Sequence, residues 1–412
     1  MHTDDTELPR SSTGPHRAGQ LSDLLVIDLS RAVAGPHAAM MLGDLGARVI
    51  KVEQPGHGDE ARDWGPPFVE GSDGQPVSTY FLAANRNKES ITLDLKDAED
   101  MTHLRHLLAV ADVLIENFRP ATLARLGLTE PALLTLNPRL VVLAISGFGH
   151  DGPEGSRPGY DQIAQGEAGL MSVTGSSPDD PQRVGVPIAD ILAGSYGAYG
   201  VLAALHERTR TGRGQIVRTS LLAAVVASHG YQGTAWTVAG VPGQAQGNHH
   251  PSIAPYGLFR CGEGAVQIAC GNDSQWHKLS SEFELDVNAD LATNRQRVER
   301  RTEVIRILED VFSSLAVAEV LARLEAVGVP AGRVRTIDEV YAWDQTRSQG
   351  LLVGVEHDSL GLIQLPGPPL RFFDVSSDAE IETTVQHHQP PPLLGTSNRS
   401  LDAWLGIDEP PQ

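Results

Sequence analysis

Cysteine is nearly absent: Cys261 and Cys270 are the only two in 412 residues. Two thiols cannot build a disulfide framework, and neither has partners at metal-ligand spacing. Their apolar neighbours, in LFRC and QIAC, mark both as core thiols. Basic residues are also scarce, with 32 Lys and Arg against 52 Asp and Glu and a formal net charge of −20. That balance argues against nucleic acid or anionic membrane as a partner, because phosphate backbones need a basic surface. A small polyanion needs only a local group of cations, and Lys51, Arg86, Lys88, Lys96, Arg119 and Arg125 supply one in the N-terminal third. No apolar run approaches the ~20 residues of a membrane span. The first 20 residues lack apolar periodicity and carry no secretory h-region, so they read as a disordered tail, with the cytoplasm as default compartment. No solenoid-type repeat is present.

What remains is globular in composition, 41% hydrophobic and 20% charged, and too long for one ordinary core. LLVIDLS has the texture of a buried parallel strand. A Gly35-Pro36 break, the helical HAAMMLGDLGA and a second strand, ARVIKVE, complete a βαβ start. ITLDL, DAEDMTHLRHLLAVA, DVLIEN, RPATLARLGL and RLVVLAIS continue the alternation. Such alternation predicts a parallel sheet with helices on both faces. A long helix follows, from about Ile188 to Glu207. From Gly230 the chain turns Gly- and Pro-rich without clear period, then offers the strand AVQIAC and two helices, TEVIRILEDVFSSL and VAEVLARLEAVGV. The expected organisation is a large α/β domain over 21–229, a small domain over 230–338, and a segment 339–412 that returns to the large domain.

Two patterns mislead. Residues 147–152 spell GxGxxG, but PEGSRPG follows, where a dinucleotide fingerprint must open a helix. Ser195 in AGSYG nearly makes a nucleophile elbow, yet it stands inside a helical pattern and not at a strand-to-helix turn. His249-His250 precedes a proline and lacks a further ligand at metal spacing, so no metal is expected.

An ordered set of segments resembles the family III CoA-transferases. The set is VIDLSRAVAGPHAAMMLGDLGARVIKVEQPGHGD, NRNKESITLDLK, ADVLIENFRPATLARLGL, NPRLVVLAISGFG, RPGYDQIAQGEAGLMSVTG, PIADILAGSYGAYGVLAALHERTRTGRGQ, GNHHPSIAPYGLFR and VPAGRV, spanning Leu21 to Leu394. The resemblance implies a Rossmann-like large domain, a smaller α/β domain, and two chains interlocked as a homodimer. It also implies transfer of coenzyme A from an acyl-CoA donor to a carboxylic acid, with CoA as substrate and no permanently bound cofactor. The matching nucleophile is Asp190, where RVGVPIA reads as a strand giving way to a helix whose N-terminus would favour the ionised carboxylate. Tyr160 stands where the family's racemase branch has a catalytic histidine, which favours transfer over racemisation. Carried over by position, the CoA contacts are Ala32, Val33, Leu93, Lys96, Asn117, Phe118 and Arg125. Val33 and Gln54 replace the glutamine and arginine of oxalate-type members and argue against oxalate. Gly247 to His250 lies where the family has a glycine-rich loop able to supply oxyanion donors, although the glycine run itself is missing. An α-methylacyl-CoA racemase activity and a catalytically silent acyl-CoA scaffold are the alternatives.

Overall fold

A computed structural model describes residues 19–399, except 156, 287, 288 and 376–378. The expected N-terminal tail therefore lies, up to residue 18, outside the described residues. The chain packs as two units. One runs to Ala168 and includes Gly185–His229 and the chain from Arg347 on; the other comprises Gly169–Val184 and Gly230–Thr346.

In the first unit the apolar runs of the sequence become the strands of one parallel sheet. β1 (Leu25–Asp28) leads through α1 (Ala34–Asp44) to β2 (Arg48–Glu53). Gly35-Pro36 does not break the chain before this helix but sits in its first turn, where a proline's missing N–H costs nothing. A Cβ on Gly35 would lie 2.3 Å from the Ser30 side chain, so glycine is required for the helix to start so close to the strand. A short hairpin, β3 (Phe68–Glu70) and β4 (Pro76–Ser78), and α2 (Thr79–Ala84) precede β5 (Lys88–Thr92). Then come α3 (Ala98–Val110), β6 (Val113–Glu116), α4 (Pro120–Arg125), α5 (Glu130–Leu136), β7 (Val141–Ser146), α6 (Asp161–Glu167) and α7 (Ile188–Thr211). β8 (Ile216–Ser220) and α8 (Leu221–Ala227) complete the alternation. The strand order is β5-β2-β1-β6-β7-β8, with every pair parallel. Its direction reverses beside β1, and such a reversal opens a crevice at the carboxyl ends of the strands.

Burial explains why these segments pair. Ile27, Ile50, Ile91, Leu104, Leu107, Leu108, Leu114 and Val142 form one cluster between the sheet and α3. α7 carries small residues on one face, and Gly194 and Gly197 let it lie against α1 and β7. The sequence promised no membrane-length apolar segment, yet α7, with 24 residues, qualifies by length and composition. Its buried Ala189, Ala193, Gly194, Gly197, Ala198, Val201, Ala204 and Leu205 form the face packed inside this unit. Residues 387–398 run along β5, where Gln389 exchanges hydrogen bonds with Asn87, and Ser397 N–H donates to the Ser90 carbonyl.

In the second unit the Gly-rich stretch after Gly230 is not wholly irregular, since Gly230–Ala239 forms α9. β9 (Tyr256–Arg260), β10 (Ala265–Ala269) and β11 (Ala331–Arg333) make an antiparallel sheet, order β11-β10-β9. α10 (Asp273–Glu282), α11 (Asn294–Glu299), α12 (Arg301–Phe312) and α13 (Val317–Ala326) accompany it. Phe259, Ile268, Trp276, Phe312 and Leu324 fill its core together with the fully buried Cys270, whose thiol is pushed up to about 11 by burial.

Candidate active site

The crevice between β1 and β6 holds a cavity of about 460 Å³. Four of the seven residues carried over as CoA contacts, Leu93, Lys96, Phe118 and Arg125, line it. So do Arg31, Lys51, Gln54, Met101 and Thr122. Lys51 is fully buried and neutralised by Asp59 at 2.8 Å. The exposed Arg31, Lys96 and Arg125 have no carboxylate partner among the described residues, so the mouth keeps a positive surplus. The Arg31 guanidinium lies 5.4 Å from the Phe118 ring, leaving a flat aromatic and a cation side by side.

The six cations noted in the sequence do not form one patch. Arg86 is buried against Asp44 at 2.5 Å, and Lys88 against Asp28 at 2.9 Å. Both stabilise the fold and are unavailable to a phosphate.

The three other carried-over residues shape the cavity mouth and do not line it. Asn117 clamps Arg31: its Oδ1 accepts from the Arg31 N–H at 3.0 Å and its Nδ2 donates to the Arg31 carbonyl at 2.8 Å. Ala32 has φ 68°, a left-handed conformation that a residue with a Cβ seldom adopts. Such strain persists only where neighbours over-determine it. Here Asn117 holds the residue before, Asp59 Oδ1 accepts from the Ala32 N–H at 3.0 Å, and Val33 opens α1.

Asp190 stands in the first turn of α7 at the same carboxyl edge. Gly194, one turn further on, would place a Cβ 2.5 Å from the Ala34 carbonyl at the start of α1. The run before Asp190, read from sequence as a strand, is irregular chain, and Pro187 takes the N-cap position without a side-chain bond. That vacancy is filled from another helix. Asp161 Oδ1 accepts from the N–H of Ala189 at 2.7 Å and of Asp190 at 3.4 Å.

The electrostatic expectation for Asp190 is thereby reversed. A bare helix N-terminus would have favoured its anion. Instead, burial first and then the Asp161 charge push its carboxyl up to about 7. Its carboxylate accepts no hydrogen bond among the described residues, and a carboxylate so placed is well suited to attack an electrophile. Tyr160, next to Asp161, is 59% exposed and makes no capping bond.

Sequence reasoning missed Asp161 as the cap of α7, because no local signal links residues 28 positions apart. It also missed Arg31 and Asp59. The Gly247–His250 loop offers less than expected. The N–H groups of Gly247, His249 and His250 already donate to Gly175, Gln246 and Tyr256 carbonyls. GxGxxG at 147–152 is loop, and α6 starts only at Asp161. No cluster of potential metal ligands occurs among the described residues.

Comparison with known proteins finds relatives that match nearly the full chain. The succinate–glutarate CoA-transferase of Agrobacterium fabrum is 39% identical over 395 residues, covering 95% of this chain and 97% of that one. The Homo sapiens succinyl-CoA:glutarate CoA-transferase is 36% identical over 378 residues, covering 91% and 83%. The crystal structure of a CaiB/BaiF family protein from Brucella suis superposes with a TM-score of 0.82 at 37% identity, covering 94% of this chain and all of that one. The family model for CoA-transferase family III matches residues 21–398, and the chain belongs to that family of enzymes, whose substrates are CoA thioesters and carboxylic acids.

Proposed function

We propose that the enzyme moves coenzyme A from succinyl-CoA to a small dicarboxylic acid, with Asp190 as the nucleophile. The names of the Agrobacterium and human relatives support this donor and a dicarboxylate acceptor. The observation that carries the reading is the Asp190 carboxyl itself, half-buried at the carboxyl edge of the sheet, free of hydrogen-bond donors among the described residues and raised to about 7.

The reaction proceeds in balanced steps. The Asp190 carboxylate attacks the thioester carbonyl, forming a mixed anhydride and expelling CoA thiolate. The thiolate attacks the aspartyl carbonyl, giving an enzyme–CoA thioester and releasing the donor acid as its carboxylate. The acceptor carboxylate then displaces the thiolate to form a second anhydride. The thiolate finally attacks the acceptor acyl carbon, which yields product acyl-CoA and restores the Asp190 carboxylate. Tyr160 donates a hydrogen bond to the tetrahedral oxyanions through its phenol hydroxyl. Lys96 and Arg125 hold CoA phosphates, Phe118 flanks the adenine, and Leu93, Ala32, Val33 and Asn117 shape the channel between them. Nothing in these steps calls for a metal or a resident cofactor.

The assay that tests this supplies succinyl-CoA with a panel of dicarboxylates. Acyl-CoA exchange without net hydrolysis supports the reading, and turnover surviving Asp190→Asn overturns it.

The enzyme works in the cytoplasm as an interlocked homodimer, with the expected large domain carrying both CoA and the nucleophile. The dimer is supported by exposed apolar side chains, Tyr199 at 73% on α7 and Trp236 at 59% and Val238 at 81% on α9, which a second copy would cover. Mixing tagged and untagged enzyme tests it: interlocked subunits do not exchange without unfolding, whereas rapid exchange would exclude threading.

A further inference from the structure

Asp161 does more than cap a helix. We infer that Asp161 is a positioning residue whose charge, fixed at the start of α7, destabilises the free carboxylate of Asp190 and drives it toward its acylated states. The inference rests on Asp190 being the nucleophile.

Both oxygens of Asp161 are occupied. Oδ1 takes the Ala189 and Asp190 N–H groups, and Oδ2 accepts from Gln165 Nε2 at 2.7 Å. Gln165 is completely buried and also reaches the Val186 carbonyl at 3.4 Å, so the carboxylate cannot swing away. The N–H groups that would have stabilised an anion on Asp190 are thus spent on another anion.

Among the described residues no neighbour offsets this. α1 brings His37, which burial, Arg86 and Lys88 hold near 4 and therefore neutral. α8 and β7 contain no titratable side chain, and Arg218 of β8 is paired with Glu130 at 2.5 Å. α6 itself adds Glu167, which is paired with Arg157 at 2.6 Å.

Acylation removes the unfavourable charge. When the anhydride forms, the negative charge leaves Asp190 with the thiolate. When the thioester forms, the charge leaves with the released acid. In both covalent states Asp190 is neutral, and its repulsion by Asp161 is gone. A proton and an acyl group relieve the same stress, so both equilibria respond together to loss of the Asp161 charge.

The test uses full-length wild-type enzyme, D161N and D161S as neutral caps, and D161E as the charge-retaining control. Intact-protein mass spectrometry reads the ratio of CoA-modified to free enzyme at one fixed succinyl-CoA to succinate ratio. Rapid quench reads the acid limb of acylation against pH. The neutral variants should lower the adduct ratio about tenfold and move the acid limb down by about one pH unit, and D161E should restore both. If D161N does not fold by circular dichroism, D161S carries the same comparison. Folded neutral variants with a wild-type adduct ratio and acid limb would overturn the inference. Wild-type enzyme that forms no adduct on the Asp190 peptide would overturn the nucleophile reading beneath it.

Discussion

Asp28 and Asp190 are both withdrawn from water, and their surroundings push them in opposite directions. Burial alone would raise Asp28, but Lys88 and Lys51, with Ser30, outweigh it and hold the carboxyl below its ordinary value. Asp190 has no such partners and rises to about 7 from an ordinary 3.8. In that interval the native state binds a proton that the unfolded chain has lost. Stability from this group is therefore full below 3.8, falls as pH rises, and levels off above about 7. Asp190→Asn should be more stable than wild type by roughly 2–4 kcal/mol at pH 8, with the gap closing toward pH 4. Urea unfolding at the two pH values checks this, and equal stability at pH 8 would contradict it. The residue types were legible in the sequence, but their settings were not. Asp161 and Asp190 are 29 positions apart, and Ala32 and Asp59 are 27 apart, so only folding brings each pair into one electrostatic neighbourhood.

At the scale of elements, the start of α7 is set by its seam with α1. Gly194 leaves no space for a side chain beside the Ala34 carbonyl. Gly194→Leu should destabilise the enzyme by about 1–3 kcal/mol, and more where the helices cannot part, while displacing Asp190 enough to lower kcat. Thermal unfolding and steady-state kinetics read both effects, and wild-type values in both would refute the seam argument. The strands around β1 were legible because their apolar runs are buried on both faces. β8 was not, since IVRTS is a short edge strand with only two apolar residues and carries the exposed half of an Arg218–Glu130 pair. α9 was missed for another reason: GYQGTAWTVA has no buried residue and hence no periodic face to read. The run before Asp190 looked like a strand by composition, but the Asp161 cap takes the position that a strand-to-helix turn would have occupied.

At the scale of the whole molecule, sheet order decides where chemistry can occur. The reversal beside β1 opens the cavity, and the α1–α7 seam brings Asp190 to the same edge of the sheet. Local periodicity predicts strands and helices but carries no strand order. The family resemblance filled that gap, and the parallel six-stranded sheet agrees with it. The proposed transfer mechanism depends above all on a covalent intermediate at Asp190. The direct measurement is to incubate the enzyme with succinyl-CoA, trap with hydroxylamine, digest, and sequence the modified peptide by mass spectrometry. Hydroxylamine displaces CoA from an aspartyl thioester and leaves a hydroxamate. A nucleophilic Asp190 should carry that hydroxamate, dependent on succinyl-CoA and missing in Asp190→Asn. A hydroxamate on another carboxylate, or full turnover with none at all, would contradict it.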